Sequence, residues 1–230
     1  MKTHTHKILT VLVAGLTIGA ITGCKSTNYV RSDATALRLD RTATEVRNTA
    51  GYLDTTIAAL NDLLANPQGD LRGQYERYTI TLSQFMAAAH LASSEVTTLQ
   101  NHAGAYFQQW DKELAQMNDE QIRQTSAARK AEAMHDYDSA MRHYQSGQDA
   151  LQPVITYLED IRKALSTDLT RAGLASAQPV AANAGQKAIN AKAQIIQSSA
   201  DLSALAGKMS SYAINRPKLA PAPVASQTSS

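Results

Sequence analysis

DLRGQYERYTITLSQFMAAAHLASSEVTTLQNHAGAYFQQWDKELAQM, residues 70–117, carries a single pattern from end to end. Leu71, Tyr75, Tyr78, Leu82, Phe85, Ala89, Ala92, Val96, Leu99, Ala103, Tyr106 and Trp110 recur at alternating steps of four and three. A helix with that spacing gathers them along one stripe, the buried seam of a left-handed coiled coil. Such a helix, from about Asp70 to Met117, would run roughly 70 Å. Gly73 and Gly104 each cost up to about 1 kcal/mol relative to alanine and mark softer points along it.

Upstream the same alternation appears in Leu39, Ala43, Val46, Ala50, Leu53, Ile57, Leu60 and Leu64. Asn66-Pro67-Gln68-Gly69 interrupts it, because proline and glycine cannot continue a helix and asparagine suits a turn. Asp70 is placed to cap the helix that follows. Downstream, Asn118 or Asp119 can cap a third helix. Its seam reads Met134, Tyr137, Met141, Tyr144, Gln148, Leu151, Ile155 and Leu158, then shifts by one to Ile161, Leu165 and Leu169. Pro153 inside this run removes one backbone hydrogen bond, giving a kink or else a new helix after Gly147. From Thr170 to Gly185 the chain turns to Ala, Ser, Gly, Asn and Pro179, which reads as a loop or frayed stretch. A last helix is expected from about Gln186 to Tyr212, with Ile189, Ile196, Leu202, Leu205 and Met209 facing inward. Short connections make neighbouring helices antiparallel. The expected fold is therefore all-α, an elongated antiparallel bundle or coiled-coil hairpin of three to four long helices.

The first residues have the layout of an export signal. Lys2 and Lys7 are followed by the uncharged apolar run Ile8 to Ile21. As a helix that run spans only about 21 Å against a hydrocarbon core of about 30 Å, so it suits a cleaved signal better than a permanent span. Ile21-Thr22-Gly23-Cys24 resembles the lipobox of bacterial lipoproteins: small residues precede a thiol that would take a diacylglyceryl group. Cys24 is the sole cysteine of the chain and has no internal disulfide partner. The domain reading is a lipoprotein signal peptide at 1–23, a polar tether at 24–32, a helical bundle at 33–212 and a disordered tail rich in Pro, Ala and Ser at 213–230. Several acyl chains on Cys24 would make an anchor that barely dissociates. Lys25 after the cysteine, by resemblance to a sorting rule of some Gram-negative bacteria, favours the outer membrane, facing the periplasm.

The formal net charge is +2, and it falls to about zero once Lys2 and Lys7 leave with the signal. Without a concentrated basic face, nucleic acid is excluded as a partner. Aromatics make up 5% of the residues, which suits helices packed closely along an alanine-bearing seam.

Chemistry-bearing motifs are weak. Glu132-Ala133-Met134-His135 has the Glu-x-x-His spacing of carboxylate-bridged di-iron bundles, but those sites need a second copy and two further glutamates. His90 with Glu95, and His102 with Asp111, lack the spacing of a metal site or an acid–base pair. No serine lies in a Gly-x-Ser-x-Gly turn and no glycine loop cradles phosphate. Tyr75 and Tyr78 with Tyr106 and Trp110 can be drawn as a ligand-stacking box, yet at seam spacing they read as core. Arg216 and Lys218 in the tail have the charge to touch an anionic cell-wall polymer, but a plain disordered end accounts for them better. The expectation is no catalytic residue, no metal ligand and no cofactor.

The stretch from Gly69 to about Leu169 resembles an uncharacterised family of bacterial lipoproteins known only as a domain of unknown function. The residues carrying the likeness are Gly69-Asp70-Leu71 with Tyr75, Tyr106-Phe107, and Trp110 with Glu113-Leu114. Tyr137, Pro153, Leu158 with Asp160, and Lys163 to Leu169 continue it. The chain departs upstream, where many members carry a Gly-x-His-Lys-Arg-Asp block and only Leu39-Asp40-Arg41 stands here. The resemblance implies a lipoprotein address and a helical hairpin, and it implies no activity. The functional expectation is an envelope lipoprotein held to the membrane through acyl chains on Cys24, acting as a non-catalytic structural or interaction module. Its partners would be envelope proteins or copies of itself. The alternative is a bundle that binds a small ligand or metal.

Overall fold

The computed structural model describes residues 28–211. Cys24, the expected signal peptide and all of the expected tail lie outside the described residues. Within them are four helices and no strand: α1 (Asn28–Ala65), α2 (Arg72–Leu114), α3 (Glu120–Thr167) and α4 (Arg171–Met209). Each helix packs against its neighbours in a closed square, α1 on α2 and α4, and α3 on α4 and α2. The α2–α3 side is the thinnest, and the diagonal pairs do not approach. Cross-links along each side fix the antiparallel sense. Between α1 and α2, Arg41 meets Glu95 partway along, and Gln74 Nε2 reaches Asp62 Oδ2 at 2.9 Å near the connecting turn. Between α1 and α4, Ser199 Oγ donates to Ala43 O at 2.7 Å while Lys192 meets Asp54.

The caps follow the local sequence. Asp119 accepts from Ile122 N at 2.9 Å and so holds the start of α3. Thr170 accepts from Gly173 N and starts α4. Asp70 accepts from Arg72 N, but the N-cap residue of α2 is Leu71, which contributes no side-chain cap.

The seams of α1 and α2 lie where the spacing puts them. Leu39, Ala43, Val46, Ala50, Leu53 and Leu60 are buried, as are Tyr78, Leu82, Phe85, Ala92, Val96, Leu99 and Ala103. α1 adds a second inward row, Thr42, Thr49 and Thr56, seven residues apart and also buried. Thr56 Oγ1 sits 2.9 Å from Thr81 O of α2 and 2.8 Å from Tyr52 O of its own helix, so its hydroxyl remains satisfied in the core.

Four expectations need correction. First, α1 starts at Asn28, so part of the stretch assigned to the tether is helix. Second, the seam of α3 does not shift. Ala140, Tyr144, Gly147, Leu151, Val154, Leu158, Ile161 and Leu165 are its buried positions, at unbroken steps of four and three. The large residues Met141, Gln148 and Ile155 flank that line. Third, residues 171–185 are helix and not loop, and α4 is a full-length member of the bundle. Fourth, Ile189 is 65% exposed and Ile196 is 44% exposed, whereas Ala184, Ala188, Ala191 and Ile195 face inward. The last three share one physical cause. α3 and α4 meet through small side chains, so the largest residues do not mark the contact line.

Both prolines are tolerated for a related reason. Pro153 and Pro179 sit inside α3 and α4. Each leaves the carbonyl four residues earlier without its helical donor. Those carbonyls belong to Asp149 and Ala175, both exposed residues, so the lost bond faces solvent and not the core.

Candidate functional site

The square closes at one end on the start of α1, the end of α2, the start of α3 and the end of α4. A hollow of about 350 Å³ opens there, lined by Ser32, Tyr106, Trp110, Met117, Arg129 and Met209 among others. A second hollow of about 330 Å³ shares most of those residues and extends to Ala133 and Leu205. Its aromatic wall comes from consecutive turns of α2. Tyr106 stands edge-on to Trp110 with ring centres 5.7 Å apart and to Phe107 at 5.5 Å. Phe107 continues the stack to Tyr137 of α3 at 6.1 Å.

The polar groups there are mostly committed. Ser32 Oγ donates to Met209 O at 2.5 Å. Trp110 Nε1 donates to Ser126 Oγ at 3.0 Å. Arg31 pairs with Glu113. Lys208 reaches Asp136 at 2.7 Å and Glu132 at 3.0 Å, and those two carboxylates raise its pKa. Burial raises the Tyr106 hydroxyl above the ordinary tyrosine range, and burial pushes Tyr137 up to about 12. Arg129 alone among the cations lining the hollow has no carboxylate partner among the described residues. Chemically this end offers ring faces, thioethers and one uncommitted guanidinium, which is equipment for holding a ligand.

The structure separates the imagined aromatic box. Tyr75 and Tyr78 lie toward the opposite end of α2, roughly 40 Å from Tyr106 by helical rise. Both are bound to backbone there: Tyr75 hydroxyl donates to Arg162 O at 3.0 Å and Tyr78 hydroxyl to Leu158 O at 2.5 Å. Of the other candidates, Glu132 is tied to Lys208 while His135 is exposed. Glu95 pairs with Arg41, and Asp111 pairs with Lys130. Among the described residues no three His, Cys, Asp or Glu side chains come together to hold a metal ion. One contact escaped the spacing argument, His143 Nδ1 against Asp201 Oδ2 at 2.7 Å, because it joins α3 to α4. The end hollow escaped it for the same reason. Ser32, Trp110, Arg129 and Met209 converge only when four chain ends are folded together, and no local motif records that.

Among the described residues no helix is both long and apolar enough to cross a membrane. In comparison with known proteins, residues 27–203 match the model of a protein family of unknown function, DUF2959. The match therefore reaches well upstream of the stretch that carried the resemblance. No curated protein and no solved structure matches the chain.

Proposed function

The chain belongs to the DUF2959 family, and from its own residues we propose that it is a lipid-anchored, non-catalytic structural or interaction module of the cell envelope. In this reading Cys24 carries the acyl chains, the bundle stands on the periplasmic side of the outer membrane, and its long faces meet envelope proteins or a second copy. The observation that carries the reading is the nearness in sequence of Cys24 to α1, which begins at Asn28. A fully extended chain of that length reaches only about 14 Å. An acylated Cys24 would thus hold one end of the bundle at the bilayer, and α1 alone, with 38 residues, would carry the other end roughly 57 Å away.

Replacing Cys24 with alanine tests the anchor. The variant is expected to leave the membrane fraction, and unchanged fractionation would remove the anchor from the proposal. In-cell cross-linking of the intact protein, followed by identification of the captured chains, tests the interaction role. The second reading, a ligand-binding bundle, draws support from the end hollow. Native mass spectrometry with elemental analysis of purified protein separates the two. Stoichiometric metal or a retained small molecule would displace the structural reading.

A further inference from the structure

We infer that the end of the bundle nearest Cys24 is a headgroup site for an anionic phospholipid of the bilayer to which the chain is tethered. The inference rests on the anchoring reading for its orientation and on the hollow for its chemistry. The length of chain outside the described residues supplies the occupant. With Cys24 acylated, the four residues to Asn28 leave the first turn of α1 within about 14 Å of the lipid surface. Tyr29 at 61%, Val30 at 44% and Ile122 at 61% exposure present apolar surface at that same end. Tyr29 and Trp110 beside the exposed aliphatic Val30 and Ile122 match the composition of a membrane interface, where an apolar body and a polar tip are both satisfied.

Inside this rim, the hollow of about 350 Å³ falls in the range of roughly 300–1,000 Å³ that holds small molecules. Arg129 supplies the charge. Its planar guanidinium matches a phosphate with two parallel N–H donors, and no carboxylate among the described residues competes for it. Arg31 and Lys208 flank the site but are already matched by Glu113, and by Glu132 and Asp136. The positive end of α3 does not contribute, since Asp119 caps it. Tyr106 and Trp110 then form the wall against which the glycerol lies, and Met117 and Met209 meet the start of the acyl chains. A free phosphate would use Arg129 and leave the aromatic wall idle, so the lipid is the better fit.

Trp110 is the only tryptophan in the chain, and its emission reports on the hollow directly. Dihexanoyl phosphatidylglycerol, titrated as monomers into the full chain carrying Cys24→Ala, tests the site without the anchor. A saturable change in Trp110 emission is expected, weakened about fivefold by Arg129→Gln. Arg123→Gln, which removes a charge from the same helix outside the lining, should leave it unchanged. An equal response to dihexanoyl phosphatidylcholine, a full response to inorganic phosphate alone, or no saturable response would each overturn the site. Acylated protein in phosphatidylcholine vesicles with and without phosphatidylglycerol tests the orientation. Lipids brominated near the headgroup should quench Trp110, more strongly when phosphatidylglycerol is present. Absence of quenching in membrane-bound protein would overturn the orientation. Saturable binding in a chain that never enters the membrane fraction would refute the anchor and support the hollow.

Discussion

At Gly147 the backbones of α3 and α4 approach closely, and replacing it with alanine measures how tightly the bundle is built. A methyl group added there would stand 2.7 Å from Ile195 Cγ1, 3.3 Å from Ile195 N and 3.5 Å from Gln194 Cβ. Carbon atoms in good contact stand about 3.5–4.0 Å apart, so the first of these is roughly 1 Å too short. Ile195 is 1% exposed, and a β-branched side chain in a helix has one strongly preferred χ1 rotamer, so it cannot swing aside at little cost. The backbone nitrogen behind it blocks the remaining escape. Overpacking of this kind costs about 1–3 kcal/mol. Removing a mid-helix glycine returns about 0.5–1 kcal/mol, leaving Gly147→Ala destabilised by roughly 1 kcal/mol, and by about 2 at the upper end. Gly104→Ala is the control, because nothing lies within 4 Å of its added methyl and only the gain remains. Urea unfolding followed by far-UV circular dichroism reads both. The two variants should differ by about 1–3 kcal/mol with opposite signs. If Gly147→Ala proves as stabilising as Gly104→Ala, the close approach of α3 and α4 is wrong.

The register of α4 gives a second test: Ile195→Ala should cost about 2–5 kcal/mol as a core truncation, while Ile196→Ala at 44% exposure should stay within about 0.5 kcal/mol. Reversed costs would restore the register expected from the large residues. Stability should also fall at alkaline pH. Burial raises the pKa of Tyr78, Tyr106, Tyr137 and Tyr144 in the folded state. The folded chain therefore holds these protons more tightly than the unfolded one, and their contribution is complete below the ordinary tyrosine value of 10.0 and lost as pH rises through about 12 for Tyr137. Urea midpoints measured across that range should decline, with a shallower decline in Tyr137→Phe; a flat profile would contradict the burial of these rings. Tyr78→Phe should cost about 1 kcal/mol at neutral pH through loss of the hydrogen bond to Leu158 O, and no measurable cost would mean that α2 and α3 do not meet there.

How far the sequence reveals the fold depends on what marks each seam. In α1 and α2 Leu, Val, Phe and Tyr alternate with alanines at the inward positions and are frequent enough that spacing locates the seam. Phe107 is the exception: it is buried at 8% exposure against Tyr137 of α3, while the expected Tyr106 is half-buried and lines the end hollow. In α3 and α4 the inward positions include Ala140, Gly147, Ala184, Ala188 and Ala191. Small residues let backbones approach and carry little hydropathy signal, so Met141, Ile155, Ile189 and Ile196 drew the reading one position away. Pro179 and Gly185 look like loop chemistry, yet both occupy α4 without breaking it, Pro179 on the exposed face. The end hollow lay beyond sequence reading altogether, since its walls come from four segments joined only by the antiparallel closure.

Mass spectrometry of the peptide that begins the mature protein, isolated from membranes of cells making the native chain, bears most directly on the idea of a tethered helical rod. The expected result is a chain that starts at Cys24 and carries diacylglyceryl and fatty acyl mass on that residue. A mature protein that retains residues 1–23, or that begins at an unmodified Cys24, would contradict it.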